Sequence, residues 1–204
     1  MIILASASPR RKELLELVDV KFIVDPADID ESAVANENAE RMVKRLAMTK
    51  AQVCAHRHPS KFVLAADTVV VLPEEKDQPE QILGKPVDEN DARRMLNLLH
   101  GRKHCVISAY ALCCLEKQVA LVKAVSADVH FRVMTSDEID AYILTKEPMD
   151  KAGAYGVQGK GAAFISQVKG SYSNVVGLPL CEVLEDLKAL GLWSTGSFTR
   201  VNED

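Results

Sequence analysis

The chain has 204 residues, 48% of them hydrophobic and 26% charged, with 25 Lys plus Arg against 29 Asp plus Glu and a net charge of -4. That is the balance of a water-exposed globular domain with apolar material enough for a core without disulfides or a structural metal, read here as one domain over 1–204. The acidic excess argues against non-specific nucleic-acid or membrane-surface binding, so any anion held by this protein needs a local cluster of cations.

In chain order, Ile2 to Ala5 reads as a short buried strand, and Ser6-Ala7-Ser8 as a turn. Pro9 suits the first position of a helix, where its missing N–H costs nothing. This helix continues through Leu14, Leu15 and Val18, with Arg11 on the same face. Lys21 to Asp25 is a second strand and Pro26 to Asn38 an acidic loop. A long helix follows with Ala39, Met42, Val43, Leu46, Ala47, Val53 and Cys54 on one stripe, then a β-branched run from Phe62 to Leu72. Pro73 to Pro79 is a charged turn, and Gln81 to Leu83 a short returning strand. Asp88 caps a helix striped by Ala92, Met95, Leu96 and Leu99, which Gly101 ends. His104 to Leu115 and Val119 to Met134 form an antiparallel pair, with Val125, Ala127, Val129, Phe131 and Val133 alternating inward. Thr135 and Glu138 form a capping box for the next helix. A Gly-rich stretch, 153–161, precedes a strand over Ala162 to Val168; a last helix starts near Pro179 and ends at Gly191, and Ser194 to Asp204 is a frayed polar tail. The order predicts an α/β fold with a mixed sheet flanked by helices, divided into two lobes by a central cleft. The cysteines, Cys54, Cys105, Cys113, Cys114 and Cys181, form no C-x-x-C and read as reduced, buried thiols. The N-terminus lacks a basic flank and a signal-length apolar run, and no stretch is long enough to span a membrane; a cytoplasmic location is expected.

Chemistry concentrates in a few places. Ser6 to Lys12 ends a strand and opens a helix, so free N–H groups, hydroxyls and the guanidiniums of Arg10 and Arg11 converge where an anion is favoured. Cations at a helix N-terminus oppose the dipole, which calls for a compensating anion. Asp67 lies inside an otherwise apolar strand and needs a cation, a metal or a tight hydrogen-bond set. It is either a structural carboxylate paired with a basic group, or a metal ligand or general base at a cleft edge. Lys50 falls on the apolar stripe of its helix, where the ordinary outcome is a snorkelling side chain. Lys85 is fixed between Gly84 and Pro86; Asp30-Glu31 sits in the acidic loop; His56-Arg57-His58 reads as a surface loop rather than a metal pair. Gly153 to Gly159 matches neither phosphate-binding glycine fingerprint, although Gln158 offers both a donor and an acceptor to a base edge.

Together, Ser6-x-Ser8-Pro9-Arg10-Arg11, Asp30-Glu31, Leu46-Ala47-x-x-Lys50-Ala51, Ala66-Asp67-Thr68-Val69, Gly84-Lys85-Pro86, the run from Asp150 to Gly159, and Val176-Gly177-Leu178-Pro179 resemble the Maf family of nucleotide pyrophosphatases, also described as septum-formation inhibitors. The resemblance implies an elongated Maf/ITPase-like fold with a cleft, commonly a homodimer, and a divalent cation, Mg²⁺ or Mn²⁺. It implies that Arg11, Lys50 and Lys85 grip a triphosphate with help from Ser6 and Ser8, that Asp67 activates water or binds metal, and that Glu31 is an accessory metal or water ligand. Arg10, Thr68 and Gln158 resemble the subgroup that hydrolyses dTTP and UTP, consistent with removal of nucleotides from the cellular pool. The sister subgroup acting on 7-methyl-GTP tends to carry Trp, Gln and Glu there, and a pyrophosphatase for such modified purine nucleotides is the alternative among enzymes. A nucleotide-binding division regulator without catalysis is the alternative from a different class; a pure binder need not keep Asp67 beside Lys50 and Lys85.

Overall fold

Strand β3 (Val63–Leu72) is the axis of the molecule, buried on both faces over most of its length. On one edge it pairs antiparallel with β5 (Lys103–Cys114), from Val63↔Cys113 to Val71↔Cys105. On the other edge two short strands share it. β1 (Ile2–Leu4) pairs in parallel at Val63 and Leu64, and β4 (Gln81–Leu83) pairs antiparallel at Val70 to Leu72. β1 also carries β2 (Phe22–Val24) in parallel on its far side. β5 turns into β6 (Val119–Phe131) as a long hairpin, and β7 (Ile165–Lys169) closes the sheet. The result is a seven-stranded mixed sheet in the order β2-β1-β3-β5-β6-β7, with β4 beside β3. The computed structural model describes residues 1–73 and 80–197. Of the turn expected at Pro73–Pro79 only Pro73 is described, and of the tail only 194–197, where Thr195–Ser197 make a 3-10 turn; the remainder of both lies outside the described residues.

Helix α2 (Ala39–Arg57) starts where the Asn38 side chain accepts from the Arg41 N–H at 2.9 Å. Its stripe of small side chains (Ala39, Val43, Ala47, Ala51, Ala55) lets it lie against one face of the sheet over Ile3, Val63, Ala65, Val69 and Ala111. The opposite face is divided. Around β1 and the first half of β3, the core takes in Leu14 and Leu15 of α1 (Pro9–Glu16) and Val183 and Leu187 of α6 (Leu180–Ala189). Around Val70, Val106, Val129 and Phe131, it takes in α3 (Glu89–Leu99) and α4 (Ser136–Leu144). Two apolar clusters on one face, with polar groups between them, are the two lobes and their cleft.

Several local expectations shift. Val133 is 71% exposed because β6 ends at Phe131, after an irregular register at His130, and Met134 takes the buried place instead. The first part of the strand expected at Ala162–Val168 is a 3-10 turn, Lys160–Phe164, and the strand begins at Ile165. Tyr172–Val176 forms a short helix, α5, capped by the Ser171 hydroxyl. His56 and Arg57 finish α2 rather than lying in a loop, with His58 at its C-cap. Of the cysteines, Cys54, Cys113 and Cys114 are buried, whereas Cys105 is half-buried and Cys181, on α6, is exposed.

Candidate active site

The arrangement around β3 leaves residues 65–69 without a strand neighbour between β1 and β4, among the described residues. Asp67 and Thr68 sit in this notch, and because successive side chains of a strand alternate, they point to opposite faces. The notch opens into a cavity of about 560 Å³, in the range of small-molecule sites. Its lining draws on both faces: Lys50 and Leu46 of α2 from one, Arg11 and Gly177 from the other. Ser6, Ser8, Arg10, Glu31, Lys85, Asp150, Lys151 and the segment 155–157 complete the part of the wall that bears charge or meets backbone.

On the α2 side, the Lys50 ammonium donates to Asp67 Oδ1 at 2.7 Å and lies 2.6 Å from Glu31 Oε1. Lys50 and Asp67 are each 8% exposed, so the lysine does not snorkel outward; its stem lies on the apolar stripe and its head meets the buried carboxylate. Burial is the largest influence on Glu31 and raises its carboxyl pKa, yet the hydrogen bond and charge of Lys50, with the charges of Lys85 and Arg11, together hold it below the ordinary value. Asp67 Oδ2 accepts no hydrogen bond from the described residues.

On the other side, Arg11 is a hub. Its guanidinium donates to the Gly177 carbonyl at 2.8 Å, Ser6 Oγ at 3.1 Å and Thr68 Oγ1 at 3.2 Å. A guanidinium has donors beyond these three, so part of the fork remains for a ligand. Burial lowers the Arg11 pKa, opposed by the Asp67 charge, which raises it. Thr68 is supported in turn by Ser108 Oγ at 2.8 Å, whose hydroxyl and N–H bond to Asn174. Ser108 and Asn174 are fully buried. Neither stood out in the sequence, because a serine in a strand and an asparagine in a polar loop carry no signal of burial; the one hint was Asn174 standing just before Val-Val-Gly, at a turn of tight backbone.

The anion demanded by the first-turn arginines is partly internal: Arg10 pairs with Asp150 at 3.2 Å, across the cleft, and Asp150 also meets Lys151 at 2.6 Å. Lys85 is exposed on the rim, in a turn fixed where the Gly84 carbonyl accepts from the Gly153 N–H at 3.0 Å. Gly153 has φ +69, and a Cβ there would meet Val70 Cγ2 at 2.8 Å, so only glycine allows this close approach. Gln158 is not brought together with the others: it is exposed, and the wall beside it is made by Gly156 and Val157. Asp25, Cys54 and His58 offer donors close to one another, but none of them lines the cavity. Asp25 already holds His58 at 2.7 Å and Arg57 at 2.9 Å, tying the end of α2 to the segment after β2. No described helix is long and apolar enough to cross a membrane.

A dTTP/UTP pyrophosphatase of Desulfotalea psychrophila is 46% identical over 91% of this chain and 92% of its own. Proteins given the same name from Myxococcus xanthus and Geobacter sulfurreducens are each 48% identical, over 94% and 93% of this chain and 93% and 96% of theirs. The Ham1 protein of Staphylococcus aureus is a distant structural likeness, with a TM-score of 0.42 at 15% identity, covering 64% of this chain and 71% of that one. The profile of the Maf-like protein family matches residues 1–190, and with relatives this similar over nearly its whole length, the chain belongs to that family.

Proposed function

We propose that this protein hydrolyses nucleoside triphosphates between the α and β phosphates, with dTTP and UTP as preferred substrates. The observation that carries the reading is the pairing of Lys50 with both Asp67 and Glu31 at a notch of the sheet edge, next to a cation-rich cavity. A protein of net charge -4 gathers Arg10, Arg11, Lys50, Lys85 and Lys151 around this one space, against Glu31, Asp67 and Asp150. Such a local excess suits a polyanion of triphosphate size. The names of the relatives supply the nucleotide class.

In this reading Asp67 holds the attacking water through Oδ2 and accepts its proton, while Oδ1 stays on Lys50. The water oxygen bonds to the α-phosphorus and the bond to the bridging α–β oxygen breaks. Pyrophosphate leaves with the electron pair, and a nucleoside monophosphate remains. Arg11, Lys50 and Lys85 meet the charge that accumulates on the phosphate oxygens, the dominant contribution in phosphoryl transfer. The fixed fork of Arg11, already set by Ser6, Thr68 and Gly177, needs no reorganisation as that charge develops. Asp67 and Glu31 carry hard oxygen donors, the donor type of Mg²⁺ and Mn²⁺, and would hold such an ion through the oxygens that do not meet Lys50. When bound, it would add positive charge against the phosphates.

The test is pyrophosphate release from dTTP, UTP, CTP and 7-methyl-GTP with Mg²⁺ or Mn²⁺, compared as kcat/KM. dTTP and UTP are expected to lead, as the names of the similar proteins imply. A clear preference for 7-methyl-GTP, or release of orthophosphate in place of pyrophosphate, overturns the assignment.

A further inference from the structure

The cavity wall at 155–157 is held from behind by a residue that does not line the cavity. Glu147 opens a 3-10 turn after α4, and its carboxylate lies under the Gly-rich segment. Oε1 accepts from the Tyr142 hydroxyl at 2.9 Å and the Gly161 N–H at 3.1 Å, and Oε2 accepts from the Lys160 N–H at 3.0 Å. The same Tyr142 hydroxyl accepts from the Gly156 N–H at 3.2 Å. One carboxylate, directly and through one phenol, thus fixes both ends of the segment that carries Val157.

The glycines show how close this fit is. At Gly159, with φ +128, a Cβ would stand 2.9 Å from both Glu147 oxygens, so the carboxylate occupies the space a side chain would take. Burial is the largest influence on Glu147 and raises its pKa, but the N–H groups of Lys160 and Gly161, the Tyr142 hydroxyl and the charge of Lys151 together hold the carboxyl below its ordinary value. Tyr155 and Val157 bring apolar surface to the cavity beside the Lys151 side chain that packs on Gly156, whereas Lys50 meets Asp67 and Glu31 on the α2 side. The apolar part of this wall suits the nucleoside end of a nucleotide better than its phosphates.

We propose that Glu147 is a positioning residue for nucleoside recognition: it sets the place of the 155–157 wall, and so substrate affinity, without touching the nucleotide or the chemistry at Asp67. This rests on the pyrophosphatase reading above. The full chain is compared with Glu147→Ala, Glu147→Gln and Tyr142→Phe, measuring kcat and KM for UTP. In parallel, the rate of tryptic cleavage after the exposed Lys160 is followed without nucleotide. Glu147→Ala should raise KM about tenfold or more with kcat within about threefold, the size of a lost charged hydrogen-bond set expressed in binding alone. Cleavage after Lys160 should accelerate in step. Glu147→Gln, which turns one oxygen into a donor facing an N–H, and Tyr142→Phe, which keeps its ring against Phe164, should shift the same two readouts by less. Unchanged KM and unchanged cleavage across the three variants, or a fall confined to kcat, overturns the proposal. Absence of hydrolysis by the unaltered chain counts instead against the proposed function, and the cleavage rates still decide whether Glu147 holds the loop.

Discussion

The charges around Lys50 predict an asymmetry between two substitutions that look equivalent. Asp67→Asn removes a charge, but Lys50 keeps Glu31 at 2.6 Å, so the fold survives. Turnover should nevertheless fall at least about a hundredfold, as for a lost general base. Lys50→Met leaves two carboxylates facing each other, one of them 8% exposed, without their cation. It should lower unfolding free energy by about 2–4 kcal/mol as well as abolish turnover. Urea unfolding midpoints beside kcat for the two variants check this; equal stability losses would mean that the pairing is not what holds Asp67. Asp67 was legible from sequence because a carboxylate in an apolar strand demands a partner. Lys50 was legible only as an oddity on an apolar stripe, and physical chemistry by itself favoured the snorkelling alternative that the buried pairing replaces. Glu31 is 54% exposed and belongs to a loop, so only the family resemblance pointed to it. Gln158 is exposed and does not line the cavity: a chemically apt side chain says nothing about the direction in which its backbone turns it.

Among elements, β5 carries a buried base. His104 is fully buried, with Nε2 2.8 Å from the Tyr155 hydroxyl and its ring edge-on to Phe131 and Tyr155. Burial drives its pKa down to about 3 from an ordinary 6.5. Above pH ~6.5 neither the folded nor the unfolded chain is protonated there, and the histidine contributes no pH dependence. Below it the unfolded chain gains a proton that the folded chain refuses, so stability falls by up to about 1.4 kcal/mol per pH unit until about pH 3. Between pH 6.5 and 5 this amounts to about 2 kcal/mol, and His104→Gln should remove that part of the slope in urea titrations at several pH values. A variant with the unaltered slope would show that His104 is not the titrating group. Element boundaries were legible where a side chain caps one of the longer helices, as at Asp88 and in the Thr135–Glu138 box. They were not legible at 160–164, where the N–H groups of Lys160 and Gly161 go to a distant carboxylate instead of a strand ladder. The five residues of α5 are too few to show a helical period.

At the scale of the molecule, alternating helices and strands announced an α/β class and the hairpin of β5 and β6. They did not announce that β1 would sit between β2 and β3, nor that β3 would share one edge between two short strands. Such pairings depend on contacts between distant segments, which local periodicity does not encode. The same separation bears on the order in which the chain gains its activity. The β5–β6 hairpin closes across a few residues, from Cys114 to Val119, and can form early. The bond from Arg11 to the Gly177 carbonyl spans 166 positions, and the one from Arg10 to Asp150 spans 140. Contacts of such span come late, because the entropy of closing the loop must be met first. Refolding from denaturant should therefore restore helical and sheet signals before hydrolysis returns, with the lag visible when activity and circular dichroism are sampled together. A nascent chain still lacking Gly177 would carry Asp67, Lys50 and Lys85 and yet leave nucleotides intact, so synthesis releases a competent hydrolase only when its last helices have docked.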